Sequence, residues 1–359
     1  MTRIRIIAAA SMVLAAATSA LAQIRGESTA SFKDWRVACD NVHLCTAFGF
    51  AVDNDEGGAG PYLRLQRGGA LEDSATVLIG LGWGEEAEGI PEGQQARLRI
   101  EGAGAPAEFT GVIDDEPESG AMLVRISDPA LEQRFVETLK DGTRVAVSFA
   151  DKDLGAISLS GSSAGLRWID DRQGRTGGVT ALVATGPASP SAMAHPPAEP
   201  VVRLVKPLGD DGELPTQLPK ALLNRTDVRQ CIEENANPER EFSERPQVDR
   251  LNRTEYLWGI PCGRGAYNFS YRYIIAGRDG SNARSPGLSG YDDTLVNGGL
   301  GEDGVLGAFA KGRGPGDCGD ETAWAWDGRR FNLVRRAQMD DCVGVPSSLW
   351  PRLWTARTQ

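Results

Sequence analysis

FKDWRVACDNVHLC, residues Phe32 to Cys45, brings a tryptophan, two aspartates, a histidine and two cysteines into fourteen residues. WRVAC has the apolar alternation of a strand, Asp40 to Leu44 carries turn residues, and a second apolar run, HLCTAFGFAV, follows. That order predicts a hairpin with Cys39 and Cys45 near each other across it, and hence a disulfide that staples a turn rather than a chemical site. The loop is small, so in an unfolded-state account the bond contributes only about 2 kcal/mol.

Working outward, further short runs with β-branched or alternating apolar residues recur between Gly, Asp and Pro: YLRLQ, TVLIGLG, ARLRI, AMLVRIS, RVAVSFA and AISLS. PALEQRFVETLKDG places Leu131, Phe135 and Leu139 at helical spacing between a proline and a glycine, and SSAGLRWIDDRQG opens with serines suited to capping a second helix. Residues 23–176 therefore read as a β-sandwich or barrel with one or two helices. Gly186 to Pro219 holds eight of the twenty prolines. Proline lacks a backbone donor and fixes φ, so residues 177–217 read as a linker.

Beyond it, PKALLNRTDVRQCIEEN reads as one helix carrying Leu222, Leu223, Val228 and Ile232. YNFSYRYII aligns Tyr267, Phe269, Tyr271 and Tyr273 on one strand face. AWAWDGRRFNLV sets Trp324 and Trp326, then Phe331 and Leu333, either side of an Asp327-Gly328 turn, the strongest hairpin signal in the chain. Residues 218–359 thus form a second β-rich unit, and the fold class is mainly β, a β-rich α+β chain in two domains. Locality ranks the pairings of its cysteines as Cys231 with Cys262 and Cys318 with Cys342.

The first residues indicate compartment. MTRIR supplies two arginines, IIAAASMVLAAA an apolar core, and Ala20-Leu21-Ala22 small residues for cleavage, so residues 1–22 read as a signal peptide. No other segment is apolar for long enough to anchor in a membrane. The expected location is outside the cytoplasm, in an oxidising compartment where cysteines pair. Without the two leader arginines the net charge of −11 becomes −13. Such acidity excludes nucleic acid and anionic lipid surfaces as partners.

Chemistry is constrained by what is scarce. Zinc sites use closely spaced cysteine pairs, whereas the nearest pair here is separated by five residues, and no Cys-x-x-Cys exists. Only His43 and His195 occur, the first on the tight loop and the second in the linker, so a Ser-His-Asp arrangement lacks its base unless His43 reaches an interface between the units. No cofactor or metal is expected. Tyr291 to Gly304, YDDTLVNGGLGEDG, offers hard oxygen ligands for calcium without matching the spaced EF-hand loop. KGRGPGDCGD, Lys311 to Asp320, could cradle an anion beside Lys311 and Arg313. The plainer reading is a glycine-rich connection passing close to a disulfide.

Two functions from different classes follow. The favoured one is a non-enzymatic binding module that holds an envelope protein or glycan through Tyr267, Tyr271, Lys311, Arg313, Trp324 and Trp326. Burial in a sheet interface is the commoner fate of such aromatic stripes. The alternative is a hydrolase of an envelope polymer, working through two of the carboxylates Asp114, Asp115, Asp292, Asp293, Glu302, Asp303, Asp317, Asp320, Asp340 and Asp341.

FKDWRVACDNVHLC, then ISLSGSSAGLRWIDDRQGR, then KGRGPGDCGDETAWAWDGRRFNLV with a late cysteine and tryptophan, together resemble the bacterial domain of unknown function family numbered 1176, over almost the whole mature chain. The resemblance implies an exported protein of the Gram-negative bacterial periplasm, or a secreted one, and supplies no catalytic residues. The first unit also resembles invasion-associated locus B proteins in Asp34 to Cys39, Cys45 and Ile157 to Ile169, but no cysteine lies between Cys45 and Cys231 where that family has a second pair.

Overall fold

The computed structural model describes residues 28–52, 60–83, 89–102, 104–209, 214–234, 245–288 and 290–359. The expected leader and Asp210 to Glu213 of the linker lie outside them. The first half is one antiparallel ten-stranded sheet built from β1 (Thr29–Phe32), β2 (Trp35–Cys39), β3 (Cys45–Gly49), β4 (Tyr62–Arg67), β5 (Ala75–Gly80), β6 (Gln95–Gly102), β7 (Ala107–Asp115), β8 (Met122–Arg125), β9 (Gly142–Phe149) and β10 (Lys152–Ser158). Their order across the sheet is β1-β2-β3-β4-β5-β8-β7-β6-β9-β10. The sheet curls until β10 meets the chain beyond β3, where the Ser158 amide donates to Phe50 O and the Val52 amide to Ala156 O.

Two helices fill the gaps. Helix α1 (Pro129–Leu139) is capped by the Asp128 carboxylate, which accepts from the amides of Ala130 and Leu131, and it buries Phe135, Val136 and Leu139. Helix α2 (Ser162–Arg172) buries Leu166 and Ile169 against β1 to β3. The serines expected to cap α2 do not. Gly161 takes that place at φ 105°, where an added Cβ would meet Phe32 O at 1.9 Å, and Ser162 Oγ donates to Leu139 O instead. Strand β7 was not expected. Its alternation is broken by a central glycine and it ends in two aspartates.

The second half holds α3 (Lys220–Leu223) and α4 (Thr226–Glu234), strands β12 (Gln247–Arg250), β13 (Tyr256–Arg264), β14 (Phe269–Ala276) and β15 (Thr294–Val296) in one sheet, and β16 (Gly299–Leu300), β17 (Val305–Lys311), β18 (Gly319–Trp326), β19 (Phe331–Met339) and β20 (Arg352–Thr355) in another. The single expected helix is thus two, because the chain turns at Asn224 and Arg225. Leu222 and Val228 are buried, whereas Leu223 and Ile232 face solvent. Between the sheets, Leu257, Tyr273, Ile275 and Leu295 meet Leu306, Trp324, Trp326 and Phe331. The tryptophan hairpin forms, but through a longer turn than Asp-Gly alone: Trp326 faces Phe331, and the Asp327 carboxylate accepts from the amides of Arg329 and Arg330.

The three disulfides join the expected pairs, Cys39–Cys45, Cys231–Cys262 and Cys318–Cys342. Cys39 and Cys45 are direct cross-strand partners. The Cys318–Cys342 bond closes the open end of the β18–β19 hairpin, just outside the Gly319 to Met339 pairing.

The proline-rich stretch is pinned rather than free. Strand β11 (Val201–Val202) pairs in parallel with β21 (Arg357–Thr358), and the Val205 amide donates to Trp326 O. The halves also touch directly. Phe48, Phe50, Tyr62 and Leu123 pack with Met339, Val345, Leu349 and Trp350 in one apolar cluster. Arg36 pairs with Asp341 at 2.9 Å, and Asn41 exchanges two hydrogen bonds with the backbone of Thr355.

Candidate functional site

A cleft of about 800 Å³ opens where the halves meet. The first half contributes Asp40, Asn41 and His43 from the stapled loop and Arg172 from the end of α2. The second contributes Tyr291, Asp320, Arg336, Gln338 and Trp354.

The stapled loop is rigid for reasons visible in its sequence. Asp40 Oδ1 accepts from the amides of Val42 and Leu44 at 3.0 and 2.9 Å, a side-chain replacement for turn bonding, while His43 takes up φ 63°. Gln173, one residue past α2, donates from Nε2 to His43 O at 2.8 Å. The loop and the helix end therefore move as one corner. Arg172 projects from that corner, with its guanidinium 4.9 Å from the Trp168 ring centroid. Burial, and then the charge of Arg172, hold the His43 imidazole below its usual value.

The corner is anchored from within. The fully buried Asp170 carboxylate accepts from Arg67 Nη2 at 2.8 Å and from the amides of Leu182, Val183 and Ala184, so one side chain ties β4, α2 and the start of the connecting stretch together. Arg67 also donates to Gln173 Oε1 at 2.6 Å.

On the opposite wall, Asp320 accepts from the Tyr291 hydroxyl, from Thr322 Oγ1 at 2.8 Å and from Arg336 Nε at 3.0 Å. Burial, and then Asp320, push the Tyr291 hydroxyl up to about 12. Trp324 lies behind this wall, edge-on to Tyr291 with ring centroids 5.0 Å apart.

Asp40 carries an oddity. Its Oδ2 is buried with no hydrogen-bond partner among the described residues. Burial holds its carboxyl above the usual value of 3.8 despite the two amides on Oδ1. A raised folded-state value contributes stability below 3.8 that is lost as pH rises through the folded value, so the charged carboxylate is a burden at pH 7. Asp40→Asn, which keeps the Oδ1 bonds, is expected to gain up to about 1 kcal/mol at pH 7, shrinking towards pH 4. Thermal unfolding at the two pH values checks this.

The six residues expected to bind part company. Trp324 and Trp326 are completely buried between the sheets and offer no surface to a partner, because their alternation serves the sheet interface. Tyr271 packs against the same cluster. Tyr267, Lys311 and Arg313 do come together: Tyr267 donates its hydroxyl to Gly312 O, and Asn268 bonds both backbone groups of Lys311. Arg313 is engaged by the buried Asp317, its Nε 2.8 Å from Oδ1. The glycines here serve close approach, since a Cβ on Gly319 would meet Ala310 O at 2.0 Å and one on Gly312 the Cys318 sulfur at 2.7 Å.

The carboxylates weighed for calcium do not converge. Among the described residues, the three acidic side chains that do cluster, with ligand atoms within 4.8 Å of one another, are Glu92, Asp114 and Asp115, none of them in the Tyr291 to Gly304 loop. His195 is exposed. His43 is half-buried and lines the cleft. Sequence reasoning missed the roles of Asp40, Arg172, Tyr291 and Arg336. Asp40 signalled only a turn, and Arg172 and Arg336 lie far apart in the chain.

A solved structure, invasion associated protein b from Bartonella henselae, is matched at a TM-score of 0.30 and 16% identity over 41% of this chain and 98% of that one, too slight a likeness to carry an argument. The uncharacterized protein YpfG of Escherichia coli (strain K12) is 29% identical over 343 residues, 91% of this chain and 92% of that protein. The match to YpfG extends over both halves, and the family model described as a protein of unknown function, DUF1176, matches residues 29–357: the chain belongs to that family.

Proposed function

We propose that the protein is an exported, non-enzymatic binding module of the Gram-negative periplasm, built as units 23–176 and 218–359 joined by 177–217, which holds an envelope ligand in the cleft between the units. The observation that carries the reading is the cleft itself: about 800 Å³, with polar and aromatic groups converging from both halves on a corner fixed by a disulfide. Three disulfides favour an oxidising compartment, and no helix of the described residues is long and apolar enough to cross a membrane.

The hydrolase alternative draws no support from the cleft. Of its two carboxylates, Asp320 is committed to Arg336, Tyr291 and Thr322, and Asp40 has one oxygen on two amides and the other covered. The edge formed by Tyr267, Lys311 and Arg313 supports a protein contact less directly, because Asp317 already neutralises Arg313.

Ala310 lines the cleft, and Ala310→Trp would put an indole into it and obstruct it. Fractionated periplasmic extract and a glycan array, read by thermal shift and calorimetry, are expected to yield a ligand that stabilises the native chain and not the obstructed variant. At a hundred times its Kd such a ligand adds about 2.7 kcal/mol. Equal responses from the two proteins, or none from either, would overturn the proposal.

A further inference from the structure

We infer that the cleft takes an oxyanionic ligand, a carboxylate or phosphate group received between Arg172 and His43 on one wall and Arg336 on the other. This rests on the cleft being the binding site. The argument is a count of unused hydrogen-bonding capacity. The acceptors are spent or covered: Asp320 holds Tyr291, Thr322 and Arg336, Asp40 Oδ2 is sealed, Gln338 Oε1 accepts from Arg336, and Asn41 is occupied by Thr355. The donors are not. Arg172 stacks on Trp168 and has no carboxylate partner among the described residues. Arg336 spends Nε and Nη2 on Asp320 and Gln338, leaving Nη1 without a partner among the described residues. The ring nitrogens of His43 make no hydrogen bond there either.

A site whose spare groups are guanidinium and imidazole N–H is complementary to acceptor oxygens, and planar guanidinium suits carboxylate and phosphate best. Although the chain as a whole is acidic, the cleft's two carboxylates and two guanidiniums balance: Asp320 is paired with Arg336, the Asp40 carboxylate has its Oδ2 buried, and Arg172 is exposed without a carboxylate partner among the described residues. The charged or titratable groups that share the cleft with His43 are Asp40 on its own loop, Arg172 on α2, and Tyr291, Asp320 and Arg336 opposite. An anion arriving beside Arg172 favours the imidazolium, so its binding raises the His43 pKa and strengthens as pH falls through that titration.

The chain has only two histidines, so their ring signals are readable by NMR, and exposed His195 reports general ionic effects. The probes are inorganic phosphate, glucuronate and its neutral counterpart glucose. Phosphate or glucuronate is expected to raise the His43 pKa while His195 stays still, and which acts more strongly assigns phosphate or carboxylate. Arg172→Gln, at an exposed position, should weaken that probe at least tenfold, and Arg172→Lys should restore part of the loss. Glucose binding as well as glucuronate and phosphate, no His43 response to either anion, or an unchanged Arg172→Gln variant would overturn the oxyanion assignment. If glucose binds the native chain and Ala310→Trp abolishes it, the cleft reading survives without the anion. If responses persist in Ala310→Trp, the cleft reading itself falls.

Discussion

Asp170→Asn is expected to lower the stability of the protein by about 3–5 kcal/mol, the loss typical of leaving one member of a buried ion pair uncompensated. The side chain is wholly buried, and Arg67 opposite is only 2% exposed. Asparagine keeps the shape but leaves the Arg67 guanidinium without its counter-charge and presents an N–H₂ where a backbone amide now donates. The damage should spread along the connections of the carboxylate. With the NH₂ in the place of Oδ2, Val183 and Ala184 lose their acceptor, Arg67 and Gln173 lose their register, and Gln173 no longer fixes His43 O. Urea unfolding with an unchanged slope would measure the loss. Asp341→Asn, which removes the half-exposed partner of Arg36, should cost under about 1 kcal/mol in the same assay. Similar small losses from both substitutions would remove Asp170 from its place as the anchor of the corner. Replacing Arg67 and Asp170 together by methionine and leucine removes the stranded charge but leaves the amides of Leu182 to Ala184 without their acceptor, so it should recover only part of the loss.

Trp324→Ala should cost about 3–5 kcal/mol, the range for emptying a large aromatic from a packed core. Trp324 is fully buried between the two sheets of the second half and supports Tyr291 edge-on. Its indole N–H is buried without a hydrogen-bond partner among the described residues, so Trp324→Phe loses contacts but no hydrogen bond and should be much milder. A binding tryptophan would behave oppositely, leaving stability near the native level and lowering ligand affinity. Differential scanning calorimetry of the two variants separates the cases, and a native-like Trp324→Ala protein would return the residue to the binding surface.

Local signals in the chain were read well where one element sufficed. ARLRI is a strand whose alternation matches one buried and one wetter face, WRVAC and YLRLQ are strands buried more fully than their alternation implies, and Asp128 with Pro129 marks the start of α1 because both act within a single turn. Cys39 and Cys45 could be paired because the turn between them is short. Strand β7 escaped because Gly111 interrupts its apolar alternation and its last residues are acidic. The aromatic stripe was legible as a stripe, but not as buried. Period two states only that Trp324 and Trp326 share a face, and whether that face meets water or another sheet depends on a partner strand elsewhere in the chain.

Taken alone, the sequence determined the β-rich class and the place of the proline-rich stretch and ranked the three cysteine pairings by locality, because each follows from periodicity, spacing or a backbone constraint within a few dozen residues. The tertiary structure decided the cleft. His43 and Arg172 are separated by 129 positions and Arg172 and Arg336 by 164, yet all three line one cavity. Their meeting depends on the curl of the ten-stranded sheet, the Asp170 anchor and the apolar seam between Phe48 and Trp350, which are long-range packing outcomes that no local pattern encodes.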